Sequence, residues 1–442
     1  MRASTHKKKS GKSKKKQKKY KKNKLVVFIT ALCSVLAAGT LGLALLAIQS
    51  SAENPAQSAE GTQREEAEPE TILASISEQE EALTAEAGEE AAETTEADES
   101  RYGSLLADPE LMKEHRIYAK EAASTQQIVM AFAGDILFDP HYAVMAKLRQ
   151  RGGNIEEAFS ADLLAQMRGA DIFMVNNEFP YTDRGTPTEG KQFTFRAEPE
   201  SAVYLKDMGA DIVSLANNHA YDYGEVSLLD SLDTLEAMEM PYVGAGRNLE
   251  EAAAPVSFIV NDKKITIVSA TQIERNDNPD TRGAGEDTPG TFRCWNPERL
   301  LQETAAAKAD SDFVIVYIHW GTESQAEIDW AQREQAVKIA EAGADVIIGD
   351  HPHCLQPVGY VSGIPVVYSL GNFWFNSKAQ DTCLVQVIIP EEGELSVRVL
   401  PARQSDCRTT LLSGGEKERV LSYINSISDS GVLDEDGYLS PR

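Results

Sequence analysis

"GADVIIGDHPH", residues 343–353, carries an apolar run out of a Gly and into Asp350, His351 and His353. The same phrase opens "GADIFMVNNEF" at Gly169 and "GADIVSLANNH" at Gly209, and each copy follows a segment of helical composition such as "REQAVKIAEA" (333–342). Gly suits a helix C-terminus because it tolerates a left-handed backbone. A run rich in Ile, Val and Met suits a strand buried on both faces. Helix then strand, repeated, predicts an α/β or layered α+β domain. Pro352 after His351 predicts that the chain leaves the sheet extended.

Every copy ends in residues of ligand chemistry: Asn177 and Glu178; Asn217, Asn218 and His219; Asp350, His351 and His353. "QIVMAFAGDILFD" (127–139) and "DFVIVYIHWGTE" (312–323) do the same at Asp135 and His319, and "IPVVYSLGNFWF" (364–375) exits through Gly371 and Asn372. In sheets built by strand and helix alternation, ligands bind at the carboxyl edge of the strands. Seven His occur in the chain, and four of them, His219, His319, His351 and His353, lie at these exits.

Imidazole, carboxylate and amide oxygen together suit a divalent Mn, Fe or Zn ion, which polarises a phosphoryl or carbonyl oxygen. In that chemistry Asp135 anchors or bridges metal, Asn218 gives its amide oxygen, and His319, His351 and His353 ligate through nitrogen. Glu178 serves as ligand or base, and His219 donates to a leaving group or oxyanion. Asn177 and Asn372 are candidate substrate contacts. The alternative is a hydrogen-bonded network in a site that does not turn over.

Charge is unevenly spread. Residues 1–24 carry thirteen Lys and Arg and no acid, and residues 25–48 are a 24-residue apolar run without charge. Such a run is long enough to span a bilayer, with the basic block cytoplasmic. A cleaved signal peptide, with Ser50 and Ala52 at the cleavage site, is the other possibility, though the run exceeds a usual signal core. Either way the body lies outside, and the anchor predicts a single-pass protein of the cell membrane with its C-terminal domain extracellular. Residues 51–100 hold sixteen acids against Arg64. That composition reads as an extended, disordered stalk.

The chain thus divides into a basic tail (1–24), a transmembrane anchor (25–48), an acidic linker (49–105), a domain (126–405) and a C-terminal helix and tail (406–442). Residues 101–442 contain 53 acids and 29 bases, a net of −24, which excludes a general polyanion surface and with it nucleic acid. Four Cys lie beyond the apolar run, without a C-x-x-C spacing, so a thiolate zinc site is not expected, and either disulfides or free thiols fit.

"FAGDILF", "VNNEFPYTDRGTP", "FTFRAEP", "SLANNHAYDYG", "IHWGTE", "GDHPHCLQPV" and "VVYSLGNFWF", in this order over roughly residues 128 to 390, resemble the CapA type of poly-γ-glutamate capsule proteins. Their domain is related to the calcineurin-like metallophosphoesterases. The resemblance implies an α+β fold of four layers, α/β/β/α, with two packed sheets flanked by helices. It puts Asn218 and His219 at the Asn-His pair of metallophosphoesterases, Asp135 in the Gly-Asp motif, and His351 with His353 in the final His-x-His motif.

Two departures matter. No Asp-x-His opens the site at Asp135, and Glu178 stands where the metallophosphoesterases have Asp. Loss of that His weakens one metal position, so one metal is expected rather than two. Arg184, Lys191 and Arg196, in the insertion after Glu178, are the candidate partners for substrate carboxylates or phosphates. The resemblance implies an anionic polymer such as poly-γ-glutamate, or a phosphoester, as ligand. Two roles follow: a metal-dependent hydrolase, or a non-catalytic polymer-binding subunit beside membrane synthase partners.

Overall fold

The computed structural model describes residues 100–274 and 281–442. The basic tail, the apolar run and the acidic stretch up to residue 99 lie outside the described residues. Among the described residues no helix is long and apolar enough to cross a membrane.

Two sheets organise the fold. The first has seven strands in the order Ile117–Ala119, Val256–Val260, Lys263–Thr271, Phe313–His319, Val346–Asp350, Ile364–Val367 and Val358–Val361. The second runs Arg408–Leu411, Ser396–Ser405, Gln380–Pro390, Gln127–Ile136, Ile172–Asn177, Ile212–Ser214 and Tyr242–Val243, and Asn372–Trp374 also pairs with Gln127–Ile136. At the centre of each sheet the strands are parallel, so their carboxyl ends share one edge.

Side-chain alternation sorts three cores. Ile128, Met130 and Phe132 face Ile315 and Tyr317 across the gap between the sheets. Ala131 and Ala133 instead face helices Ala143–Gln150, Ala161–Arg168 and Glu225–Ala237, which bury residues at helical spacing such as Leu228, Leu232 and Leu235. Val314, Val316 and Ile318 face helices Glu298–Ala309 and Trp330–Glu341 through Leu300, Ala307, Ala336 and Ile339. Helices, sheet, sheet and helices therefore form four layers. The central strands read as unbroken apolar runs because each has core on both faces.

The repeated "GAD" has a structural cause. Gly209 (φ 89°) and Gly343 (φ 110°) hold the left-handed backbone that a Gly supplies, whereas Gly169 stays helical at φ −88°. The Asp is a clasp. Asp171 donates its N–H to the Val129 carbonyl (2.8 Å) and accepts the Val129 N–H on Oδ2 (2.7 Å). Asp211 does the same to Phe173 (2.8 and 2.8 Å), and Asp345 to Val314 (2.8 and 2.8 Å). Asp312, which lacks the Gly-Ala prefix, clasps Lys264 in the same way (2.9 and 2.7 Å). Each clasp pins one strand to its parallel neighbour at the amino end.

The folded unit is wider than 126–405. A short helix at Gly103–Leu106 falls within the stretch read as linker, and Ile117–Ala119 is an edge strand paired with Val256–Val260. After residue 405, Arg408–Leu411 extends the second sheet, and helix Gly414–Ile427 buries Val420, Leu421 and Ile424 against the core between the sheets. Gln380–Pro390 and Ser396–Ser405 pair antiparallel as a hairpin that carries the second sheet past Gln127–Ile136. Cys294, Cys354, Cys383 and Cys407 are free thiols.

Candidate metal centre

Both sheets open onto one buried cluster at their carboxyl edges. The second sheet delivers Asp135, Asn176 and Glu178, with Asn217, Asn218 and His219 after Ile212–Ser214; the first delivers His319, Asp350, His351 and His353. The ligand atoms fall into three overlapping trios, Glu178 with His319 and His351, Asp135 with Glu178 and His353, and Asp135 with His319 and Asp350, each within 4.8 Å.

Local backbone features build this convergence. Gly134 sits at a register shift in the pairing with Ile172–Asn177, and a Cβ on it would lie 2.1 Å from the Gly371 carbonyl oxygen. Only Gly lets these exits approach, which sets Asp135 opposite Asn372. His351 and His353 both have positive φ, 93° and 57°. The extended exit expected from Pro352 is therefore not found: the chain doubles back, and the Pro352 carbonyl accepts the Ser324 N–H at 2.8 Å. Such backbone strain, about 1–3 kcal/mol per residue, persists where surrounding contacts over-determine it.

Hydrogen bonds fix the imidazoles. His319 Nδ1 lies 2.8 Å from Asp350 Oδ1. His319 Nε2 then turns to Asn218 Oδ1 (2.8 Å) and His351 Nδ1 (3.0 Å). His353 Nδ1 is shared between Asp135 Oδ2 (3.0 Å) and Asn372 Oδ1 (2.9 Å). His219 Nδ1 donates to Asp222 Oδ2 at 2.7 Å, leaving Nε2 3.9 Å from Glu178 Oε1. Phe195 packs against His219 with its ring tilted by 38°, and Phe375 stacks on His353.

Burial sets the electrostatics of the cluster. Burial pushes His319 down to about 3 and His219 down to about 4, so both rings are neutral at physiological pH. Burial, reinforced by Asp135 and Asp350, pushes Glu178 well above the usual carboxylate range. Burial raises Asp350 likewise, with Asp135 adding to it. Burial would also raise Asp135, but the His353 contact holds it low, and the same contact lifts His353 against its own burial. Both Glu178 oxygens are buried with no hydrogen-bond partner. A buried carboxylate in that state is normally paired or bound to metal. The donor set is mixed oxygen and nitrogen, so the residues fit a divalent cation of the Mn, Fe or Zn type.

Of the residues read from sequence, Asp135, Glu178, Asn218, His219, His319, His351, His353 and Asn372 are brought together. Asn177 is not: it has the opposite parity to Glu178, is fully buried on the helix side, and donates its amide to the Phe179 carbonyl. Arg184 pairs with Asp230 of helix Glu225–Ala237, its side chain 63% exposed. Lys191 is buried behind the cluster and donates to Asp222 and the Asn218 carbonyl. Arg196 lays its guanidinium over Tyr223, 4.7 Å from the ring centre. His141 is exposed beside Asp139, away from any ligand role.

Sequence reading missed Asn176, which donates to Asp135 Oδ1 at 2.9 Å, and Asp222, which sets the His219 tautomer. It named Asp350 at its strand exit without giving it a role. Strand parity was the available signal for Asn176, since 174, 176 and 178 share a face.

Two packed sheets thus bring to their shared edge a carboxylate and imidazole cluster that could hold a metal ion. Residues 129–377, more than half of the chain, match the family described as "Bacterial capsule synthesis protein PGA_cap", and the chain belongs to that family. It is 30% identical over 276 residues to the PGA biosynthesis protein CapA of Bacillus subtilis (strain 168), covering 61% of this chain and 70% of that one. It is 28% identical over 324 residues to the capsule biosynthesis protein CapA of Bacillus anthracis, covering 70% and 75%. Among solved structures, a putative 5'-nucleotidase from Staphylococcus aureus in complex with alpha-ketoglutarate aligns with a TM-score of 0.37 and 13% identity, covering 68% of this chain and 58% of that chain.

Proposed function

We propose that this chain works in the synthesis or export of poly-γ-glutamate or a related cell-envelope polymer, and that its cleft is a metal-dependent hydrolase site for phosphoester or γ-glutamyl amide bonds. The observation that carries the metal is Glu178, whose two buried oxygens have no hydrogen-bond partner although Asp135, His319, His351 and His353 surround them. Asp135, Glu178, Asn218, His319, His351 and His353 would hold the ion. When bound, such an ion supplies Lewis acidity toward a phosphoryl or carbonyl oxygen. His219, fixed by Asp222 and neutral, presents an unprotonated Nε2 toward the cleft and so serves as proton acceptor rather than the donor expected from sequence, and Arg196 would be the cation for a substrate carboxylate or phosphate. The basic tail and apolar run anchor the protein in the cell membrane, with the domain outside.

One feature favours a second role, a non-catalytic polymer-binding subunit beside membrane synthase partners. Leu137, two residues after Asp135 where an Asp-x-His motif would place an imidazole, is fully buried in the helix-side core. That position gives no ligand.

The test is direct. Bound metal is measured on the purified full chain, and a phosphodiester, a phosphomonoester and γ-glutamate oligomers are assayed with added Mn²⁺. Turnover abolished by chelation and by the His351→Ala, His353→Ala double variant supports the hydrolase. Metal without turnover supports the scaffold, and no bound metal with no metal-dependent stability sinks both metal roles. Unchanged glutamate-oligomer binding in Arg196→Ala removes Arg196 from the substrate site.

A further inference from the structure

Four Trp occur in the chain, and two of them, Trp320 and Trp374, are fully buried. The other two are exposed and touch each other. Trp295 is 51% exposed and Trp330 67%, and their rings meet at 89° with centres 5.9 Å apart. Scattered apolar residues on a surface need no explanation, but two paired indoles forming one concavity do.

The concavity is a slot of about 120 Å³ lined by Trp295, Pro297, Trp330, Glu334, Gln335 and Lys338. Gln335 is only 6% exposed. Its Nε2 donates to the carbonyls of Cys294 (2.8 Å) and Trp295 (3.3 Å), which fixes the amide, and its Oε1 is buried without a partner. A fixed, unpaired acceptor in a lined slot asks for a donor from a ligand. Glu334 and Lys338, paired at 2.6 Å and about half exposed, stand at the rim.

We propose that this slot binds a pyranose unit of a glycan, a ligand separate from that of the metal cleft. The C–H face of the ring stacks on an indole, a hydroxyl or acetamido N–H donates to Gln335 Oε1, and further hydroxyls reach Glu334 and Lys338. An anionic bilayer is disfavoured by the net charge of −24 on residues 101–442.

The experiment follows indole fluorescence of the full chain during titration with chitotetraose and with cellotetraose. With Trp320 and Trp374 buried, acrylamide-quenchable emission comes from Trp295 and Trp330. A saturable change that protects this emission, survives EDTA, and weakens about tenfold or more in Trp330→Ala and in Gln335→Leu is expected. Trp330 is exposed at the start of its helix, so that variant keeps its fold, checked by its melting curve. No saturable change with either oligosaccharide, or a change retained in Trp330→Ala, overturns the proposal. So does Trp330-dependent binding to phosphatidylcholine vesicles without a sugar response, which would assign the indoles to a bilayer.

Discussion

Glu178 holds two unpartnered oxygens in a fully buried position, so in the metal-free protein its charged form is poorly tolerated. Glu178→Gln should therefore leave metal-free stability unchanged or raise it, while removing most of the stabilisation by Mn²⁺, which for the parent chain reaches about 2.7 kcal/mol at a hundredfold excess over Kd. Thermal melts with and without Mn²⁺ check both halves; a metal response retained in the variant would exclude Glu178 as ligand. His353 gives the pH dependence. Its folded value lies above the ordinary 6.5, so its pairing with Asp135 stabilises the metal-free fold fully below pH 6.5 and is lost as pH rises past the raised value. The charged ring also competes with a cation for Asp135. Metal-free stability from this pair should fall, and the Mn²⁺-induced gain should grow, as pH rises through the same window. Melts across that range, with His353→Ala showing neither slope, test the sign.

Strands in this protein are pinned at one end and chemically active at the other. The Asp clasps explain why "GAD" recurs, and their cost is measurable: Asp345→Ala should lose about 1.5–3 kcal/mol in denaturant unfolding, because a charged acceptor of a backbone N–H disappears. Asp183→Ala, at an exposed loop position, should change stability by less than about 0.5 kcal/mol. The strands and their ligand-bearing exits were legible because apolar runs, Gly and polar termini are local signals. The clasp was not, since its partner lies on a strand tens of residues away. Asn176 and Asn177 show a finer limit: adjacent and identical, they differ only in which face of the pleat they take. The doubling back at His351 and His353 was equally hidden, because the contacts that enforce it come from another loop. Gly134→Ala forces a Cβ onto the Gly371 carbonyl and should destabilise by at least about 1–3 kcal/mol while disturbing metal binding through Asp135. A melt unchanged from the parent would mean that the two exits can part without penalty.

For the whole molecule, the four layers were expected from the family resemblance, and the three cores account for them physically. The outer boundaries were not legible. Ile117–Ala119 is three residues long after an acidic stretch, and Arg408–Leu411 alternates exposed and buried positions too briefly to signal a strand. Their identity as sheet edges depends on neighbours that the local sequence does not contain. Helix Gly414–Ile427 covers part of the core between the sheets, so a chain ending at Ser405 should expose Val420's partners, bind a hydrophobic dye and melt far below the full chain. A native-like melt would show that residues 406–442 are a helix and tail that the folded unit does not need. The short edge strand at Ile117–Ala119 has one more consequence. Tension applied from the N-terminal side passes the contacts of Ser100 and Arg101 with Asp262 and Asp312 and then reaches this strand, held across three register pairs with Val256–Val260. Under load this three-residue edge would part before the long central pairings that carry the cleft, in the manner of a mechanical fuse.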